Sequence, residues 1–433
     1  MKAIKLLIIY LCFSAPLLLP AQKTESPGKN VGNKITTSHN GKPANYPQAK
    51  LEQKFSSYEL YQVDFSELKE KAKTNNYFEI NLELGTGHRW NIELELNDMR
   101  SPRYRELIGT KDGIIEIPRR RATTYKGLVK GTGQPERLSI SDNRLSGYIT
   151  ENGQEYYIEP LSMTAEKAPG DYYVVYRPQD IICTEEHQCT YDLVRENHNI
   201  EQKPDLPAKP REKAGTCVEV DFATACTWDF VDDFASPMAA NDRIAEITNL
   251  VEGLYAPFML SYVIVGQFAP ASAAGDPFTA SDDAFTILAD FRVWAGPNLP
   301  THDLGQIWVG RDIQGCGGGP GNFGLIGCAE AIGSVCDENR YNVCENTWSN
   351  TDNCLRTLSA HECGHNWDGV HSESAPGTIM TPTIDCNATT FTANNTTRIQ
   401  AHIDSRTCLA QCDCELTVQC PDTDLGRIAC GGT

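Results

Sequence analysis

Past its first twenty residues the sequence has no apolar run near the ~20 residues that span a bilayer, so a multi-span membrane protein is excluded and no stable membrane insertion is expected. It also lacks a surplus of positive charge. With 38 Lys+Arg against 57 Asp+Glu and a formal charge of -19, it has no basic footprint, and no nucleic-acid partner is expected. Repeated C-x-x-C pairs are missing although there are 17 cysteines, which sets zinc ribbons aside and points to disulfides in an oxidising compartment. Histidine is scarce, at nine residues, so any cluster of it is informative.

These shortages are unevenly spread. Residues 1–213 hold 30 Lys+Arg and 29 Asp+Glu, whereas 214–433 hold 8 Arg, 28 Asp+Glu and no lysine. Only Cys12, Cys183 and Cys189 precede the break, and fourteen cysteines follow it. Two coincident changes in composition predict two units with a boundary near residue 213. At the N-terminus, two lysines in residues 1–5 precede an apolar run over 6–19 and then Pro20-Ala21-Gln22. That is the layout of a secretory signal peptide, predicting a secreted, extracellular protein with Cys12 cleaved away.

Residues 23–50, rich in Lys, Asn, Ser, Gly and Pro, read as a disordered lead-in. From about 58 to 176 the pattern is mostly β. Alternation over 78–84 and 90–96 around Gly85-Thr86-Gly87 predicts a hairpin, and short strands are expected at 127–129, 138–140, 147–149 and 172–176. Arg119-Arg120-Arg121 reads as a solvated loop or a processing site. Residues 199–214, with three prolines and mixed charge, read as a linker in which Arg211 and Lys213 suit a trypsin-like protease. Beyond it, strands at 218–222, 259–268, 306–310 and 325–327 alternate with helices. One helix is expected over 241–255 (Ile244, Ile247, Val251, Leu254). A second is expected over 284–294, with Phe285, Leu288, Ala289 and Val293 on its apolar side. This is an α/β pattern.

Three of the nine histidines fall within eleven residues: His361-Glu362-Cys363-Gly364-His365-Asn366-Trp367-Asp368-Gly369-Val370-His371. On a helix over 351–366, His361 and His365 face one side and can reach one metal. Glu362, beside the first ligand, suits a general base acting on water. His371 can join them only if the helix stops, and Asp368-Gly369 supplies a break that accepts positive φ. Three imidazoles and an open position describe a single catalytic zinc site. Gly377-Thr378-Ile379-Met380 then places Met380 in a turn, completing the pattern of three histidines and a Met-turn.

At this point the chain resembles the adamalysin/reprolysin branch of the metzincins, the catalytic domain of ADAM proteases and snake-venom metalloproteases. Residues 288–294, His302-Asp303-Leu304-Gly305-Gln306 with Gly310, GLIGCAEAIGSVC over 324–336, and 391–409 also resemble that branch. Residues 125–160 resemble an ADAM-type pro-domain. The resemblance implies an α/β metzincin catalytic domain: a twisted mixed sheet with helices, a zinc helix and a Met-turn, preceded by a mostly β pro-domain. It implies a secreted zinc endopeptidase made as a zymogen, with His361, His365 and His371 as ligands and Glu362 as acid/base. Protein or peptide substrates would lie along the edge strand at 324–329, and the chain's own pro-domain would act as inhibitor. It further implies a Cys336–Cys408 disulfide. Two departures stand out: Asp368 where the family has Gly, and Ser372 where it has Asp after the third His. A neighbouring metzincin branch of bacterial type stays open.

The expected organisation is a signal peptide over 1–22, a pro-domain over 23–198, a linker with the maturation site over 199–214, a catalytic domain over 215–411 and a Cys-rich tail over 412–433. Cys183 has two readings: a cysteine-switch thiolate at the fourth zinc position, or a local disulfide with Cys189. Cys344–Cys354 and Cys316–Cys328 are expected as local pairs, and Cys363 pairs with Cys386 or is a buried thiol. Asn387, Asn394 and Asn395 lie in glycosylation sequons. The rival function is a catalytically silent secreted binding or adhesion module on the same fold. Calcium use is not legible.

Overall fold

The computed structural model describes residues 35–47, 51–142, 144–165, 167–182, 188–189, 217–278, 280–315, 324–349, 351–372, 375 and 377–412. The signal segment, the 199–214 linker, Cys183, Cys316, and Cys414, Cys420 and Cys430 lie outside them.

The N-terminal half begins with β1 (Ile35–Pro43), α1 (Leu51–Lys54), β2 (Glu59–Gln62), α2 (Ser66–Ala72), β3 (Tyr77–Leu84) and β4 (His88–Leu96). Next come β5 (Arg100–Thr110), β6 (Gly113–Ile117), β7 (Thr124–Val129), β8 (Gln134–Ile140), β9 (Leu145–Glu151), β10 (Gln154–Pro160), β11 (Tyr172–Tyr176) and β12 (Gln188–Cys189). Nine of these strands close a barrel in the order β1-β2-β11-β10-β9-β8-β7-β4-β3. Alternation drives it: Phe78, Ile80, Leu82 and Leu84 of β3 and Trp90, Ile92 and Leu94 of β4 fill its core. Their turn closes Leu84 against His88, with Gly85 at φ 58°.

One reading of this half is corrected. The lead-in over 23–50 contains barrel strand β1, paired in parallel with β3 from Ile35↔Phe78 to Gly41↔Leu84. Its buried positions are Thr37, His39 and Gly41, so it carries no hydrophobic alternation. The Arg119–Arg121 run lies in a loop, as expected, with Arg119 exposed and all three guanidinium groups tethered to neighbouring elements. Arg119 bonds the Ser101 and Arg100 carbonyls, Arg120 bridges Glu106 and Asp242, and Arg121 bonds the Ala72 carbonyl. Strands β5 and β6 leave the barrel and join the second sheet.

That sheet contains β13 (Val218–Cys226), β14 (Leu260–Pro270), β15 (Leu304–Val309), β16 (Leu325–Ala329), β17 (Tyr341–Glu345) and β18 (Ala410–Gln411). Its order is β12-β16-β17-β15-β13-β14-β5-β6, with β18 on β13. The central strands β14, β13, β15 and β17 run parallel, β16 is antiparallel to β17, and β5 continues the parallel set from β14. Between the strands run α3 (Trp228–Asp232), α4 (Pro237–Tyr255), α5 (Ala284–Asn298), α6 (Asp352–Asn366) and α7 (Ala393–Ser405). Ser236 caps α4, with Pro237 at its first position, and Asp283 caps α5 through the Thr286 N–H. In α5 the buried stripe is Ala284, Ile287, Leu288, Phe291 and Ala295, whereas Val293 is 74% exposed. The expected face was rotated because apolar residues surround this helix. Among the described residues, no helix is long and apolar enough to cross a membrane.

The two halves share their cores. Met99 and Tyr104 pack into the second sheet's core, and Leu107 into the cluster on its other face. Tyr104 donates to Gln267 Oε1 at 2.8 Å, and Asn97 donates to Asn249 and Glu252 of α4. The barrel also grips the N-terminal turn of α6. Arg144 binds Asp352, Tyr176 donates to Asn353, and Glu155 takes a bidentate bond from the fully buried Arg356, whose guanidinium also lies over the Tyr148 and Tyr157 rings.

Disulfides join Cys336 to Cys408, Cys354 to Cys386 and Cys217 to Cys412. The expected Cys344–Cys354 pair is overturned, because Cys354 of α6 faces the segment carrying Cys386. Cys363 does not pair with Cys386 and is a buried thiol, pushed up to about 12 by burial. Cys412, read from sequence as tail, closes back on the start of β13.

Candidate metal centre

Helix α6 follows Thr351 and is buried along its whole length between β16, β17 and α4. His361 and His365 are one turn apart on it. The helix then ends: Trp367 N–H bonds the Cys363 carbonyl, Asp368 N–H the His365 carbonyl, and Gly369 N–H the Gly364 carbonyl. The break divides two demands between two residues. Asp368, not Gly369, takes the left-handed conformation, with φ 74°. Gly369 is needed for close approach, because a Cβ there would sit 2.7 Å from the Gly364 carbonyl oxygen and 3.2 Å from Met380 Cε.

The turn delivers His371 to the other two. His361 Nε2 lies 3.1 Å from His365 Nε2 and 3.3 Å from His371 Nε2. His361 Nδ1 is 2.6 Å from the Ile379 carbonyl and His365 Nδ1 is 3.0 Å from the Gly369 carbonyl. A carbonyl only accepts, so both rings carry their proton on Nδ1 and turn an Nε2 lone pair toward the cluster centre. Burial, with His371 beside it, pushes His361 down to about 3, and burial followed by the other two rings holds His365 well below the usual imidazole range. Neutral imidazoles with converging lone pairs suit a cation. Nitrogens 2.0–2.1 Å from a tetrahedral zinc stand roughly 3.3 Å apart, close to the separations seen here. Among the described residues, one other group of three ligand-type side chains converges (Asp303, Cys336, Cys408), and two of its members are tied up in a disulfide.

Glu362 is fully buried beside β16, where a Cβ on Gly327 would run into its carboxylate. Met380 lies beneath the cluster, its sulfur where a Cβ on Gly364 would stand, and its carbonyl accepts from Ser372 N–H. Gly377 opens that turn with φ 79°. The backbone of β12 pairs in parallel with β16, Gln188 opposite Leu325 and Cys189 opposite Gly327. The Cys183 readings, switch or local bridge, fall outside the described residues.

Sequence reasoning missed three contributors. Asn395 was read as a sequon, yet it is fully buried with its amide committed to the His371 segment. Arg398 binds Asp368, and Gly327 makes room for Glu362. All three lie within segments that carry the resemblance, 324–336 and 391–409, but nothing in their spacing marked their roles.

No protein-family model matches the chain. It is 21% identical over 260 residues to the zinc metalloproteinase-disintegrin-like atrase-A of Naja atra, a match covering 58% of this chain and 40% of that protein. The chain therefore matches well under half the length of this curated relative. Among solved structures it is similar to metalloproteinase-II from Bacteroides fragilis, with a TM-score of 0.45 and 12% identity over 86% of this chain and 99% of that one. In sequence, the chain is a distant relative of a zinc metalloproteinase.

Proposed function

We propose that the chain is a secreted zinc-dependent endopeptidase of the metzincin type, made as a zymogen, with His361, His365 and His371 as metal ligands and Glu362 as acid/base. One observation carries the reading: three imidazole Nε2 atoms, two of them fully buried and the third half-buried, converge at zinc-ligand separations, and the two buried rings have Nδ1 locked onto carbonyl acceptors. A bound zinc ion supplies electrophilic polarisation and makes water more acidic. Glu362 takes the proton of the attacking water and delivers it to the leaving amine. Burial keeps His361 and His365 neutral, so their lone pairs stay available. Met380 supports the floor of the site through Gly364 and Gly369.

Main-chain groups of β16 would hold an extended substrate. Latency is supported by β12, which lies along that strand, and by the barrel's grip on α6. Secretion is supported by the apolar N-terminal segment and by the disulfides, and Arg211 or Lys213 would be the maturation point. Zinc quantitation and casein hydrolysis test the proposal. About one zinc per chain is expected, with hydrolysis lost on chelation and in Glu362→Ala at unchanged far-UV circular dichroism. Hydrolysis that persists in Glu362→Ala would sink the mechanism.

A further inference from the structure

The turn that carries His371 is held by a face of α7 thirty residues away. Arg398, 3% exposed, donates from Nε to the Asp368 carbonyl at 2.8 Å and places Nη2 3.1 Å from Asp368 Oδ2. Asn395, one turn earlier, receives the Val370 N–H at 2.9 Å on Oδ1, while Nδ2 donates to the Val370 carbonyl at 2.9 Å and to Ser372 Oγ at 2.8 Å. Residues 368, 370 and 372 are thus gripped on both sides of the histidine. The helix making the grip is itself anchored. Thr392 caps it, Cys408 just beyond it is bonded to Cys336, and Arg406 reaches the Gly333 carbonyl.

Asp368 gives this grip a reason. An L-residue in the left-handed region is sterically strained, and glycine is the ordinary solution. Here the side chain is turned to use, because the carboxylate that glycine would lack is the group Arg398 binds. A buried ion pair adds little net stability, but it specifies one geometry. We propose that Asn395 and Arg398 are positioning residues for the third metal ligand, with the Arg398–Asp368 pair replacing glycine's conformational freedom in setting the direction of His371. The inference rests on the zinc reading above.

The test uses the full secreted chain and measures zinc affinity by chelator competition and the visible spectrum of the cobalt-substituted protein. Arg398→Met is expected to weaken zinc binding about 10- to 100-fold, the range for outer partners of metal ligands, and to alter the cobalt bands. Asn395→Asp, which sets a carboxylate against the Val370 carbonyl, is expected to weaken it similarly. Asp368→Gly with Arg398→Met is expected to restore affinity to within about threefold of wild type, because glycine needs no carboxylate partner. Wild-type affinity in Arg398→Met, or a double variant no better than the single one, overturns the inference. If Arg398→Met does not fold, the double variant is compared with Asp368→Gly: equal affinity supports the proposal and a tenfold loss overturns it. A wild-type protein that binds no zinc would instead refute the metal-site reading itself.

Discussion

Glu136 of β8 shares the inward face of Leu138 and Ile140 in the barrel, and it is 1% exposed. Neither carboxylate oxygen has a hydrogen-bond partner among the described residues. Burial, with Glu93 as a second influence, raises its pKa from 4.5 to about 9. The folded barrel therefore holds a proton that the unfolded chain releases. Because the folded value is the higher one, the stability linked to this group is full below pH 4.5 and is lost as pH rises toward 9. At 1.36 kcal/mol per unit, the loss is below about 1 kcal/mol at pH 5 and about 4 to 5 kcal/mol at pH 8. That is a large fraction of the ~5–15 kcal/mol that holds a domain together. Glu136→Gln is nearly isosteric and cannot ionise. Its unfolding free energy, measured in urea beside wild type, should nearly match at pH 5 and exceed wild type by several kcal/mol at pH 8. Parallel pH profiles, or a variant less stable than wild type at pH 8, would refute the burial argument.

Other outcomes follow from the same structure. Glu159 of β10 accepts the Asp352 N–H of α6 at 2.8 Å; burial and the nearby Asp352 raise it to about 7, so the barrel's hold on α6 should weaken as pH rises through 7. Limited proteolysis across pH 5.5–8.5 should show that dependence, and Glu159→Gln should flatten it. Arg356→Met removes one partner of a buried pair, and a stability loss of about 3 kcal/mol is expected by denaturant titration. Under the zinc reading, free metal at ~1,000 times its Kd should stabilise the chain by about 4 kcal/mol, so chelation should lower the melting temperature.

What was legible in the sequence was local. Alternation over 78–84 and 90–96 specified a hairpin, and the 3–4 spacing of Ile244, Ile247, Val251 and Leu254 specified a helix face that is in fact buried. The spacing of His361, His365 and His371 pointed to a cluster because a helix and a break determine where such rings go. Strand β1 was illegible because its inward residues are Thr, His and Gly, whose partners lie forty residues on. The departure of β5 from the barrel was equally hidden, since RSPRYRELIGT reads the same in either sheet. The Asn395 and Arg398 contacts span 25 to 30 residues and leave no periodic trace. Asp368 looked like a departure from pattern, and only its partner explains it.

The Cys217–Cys412 bond has a mechanical consequence. The chain enters the histidine-bearing half at one of these cysteines and leaves it at the other, at a sequence separation of 195. Tension applied between the segment before Cys217 and the one after Cys412 runs through a covalent shortcut of two side chains. Strands β13 to β17, α6 and the three histidines lie within the loop that this bond closes, so tension carried by the backbone on either side of it bypasses the chain that holds them until the bond is reduced.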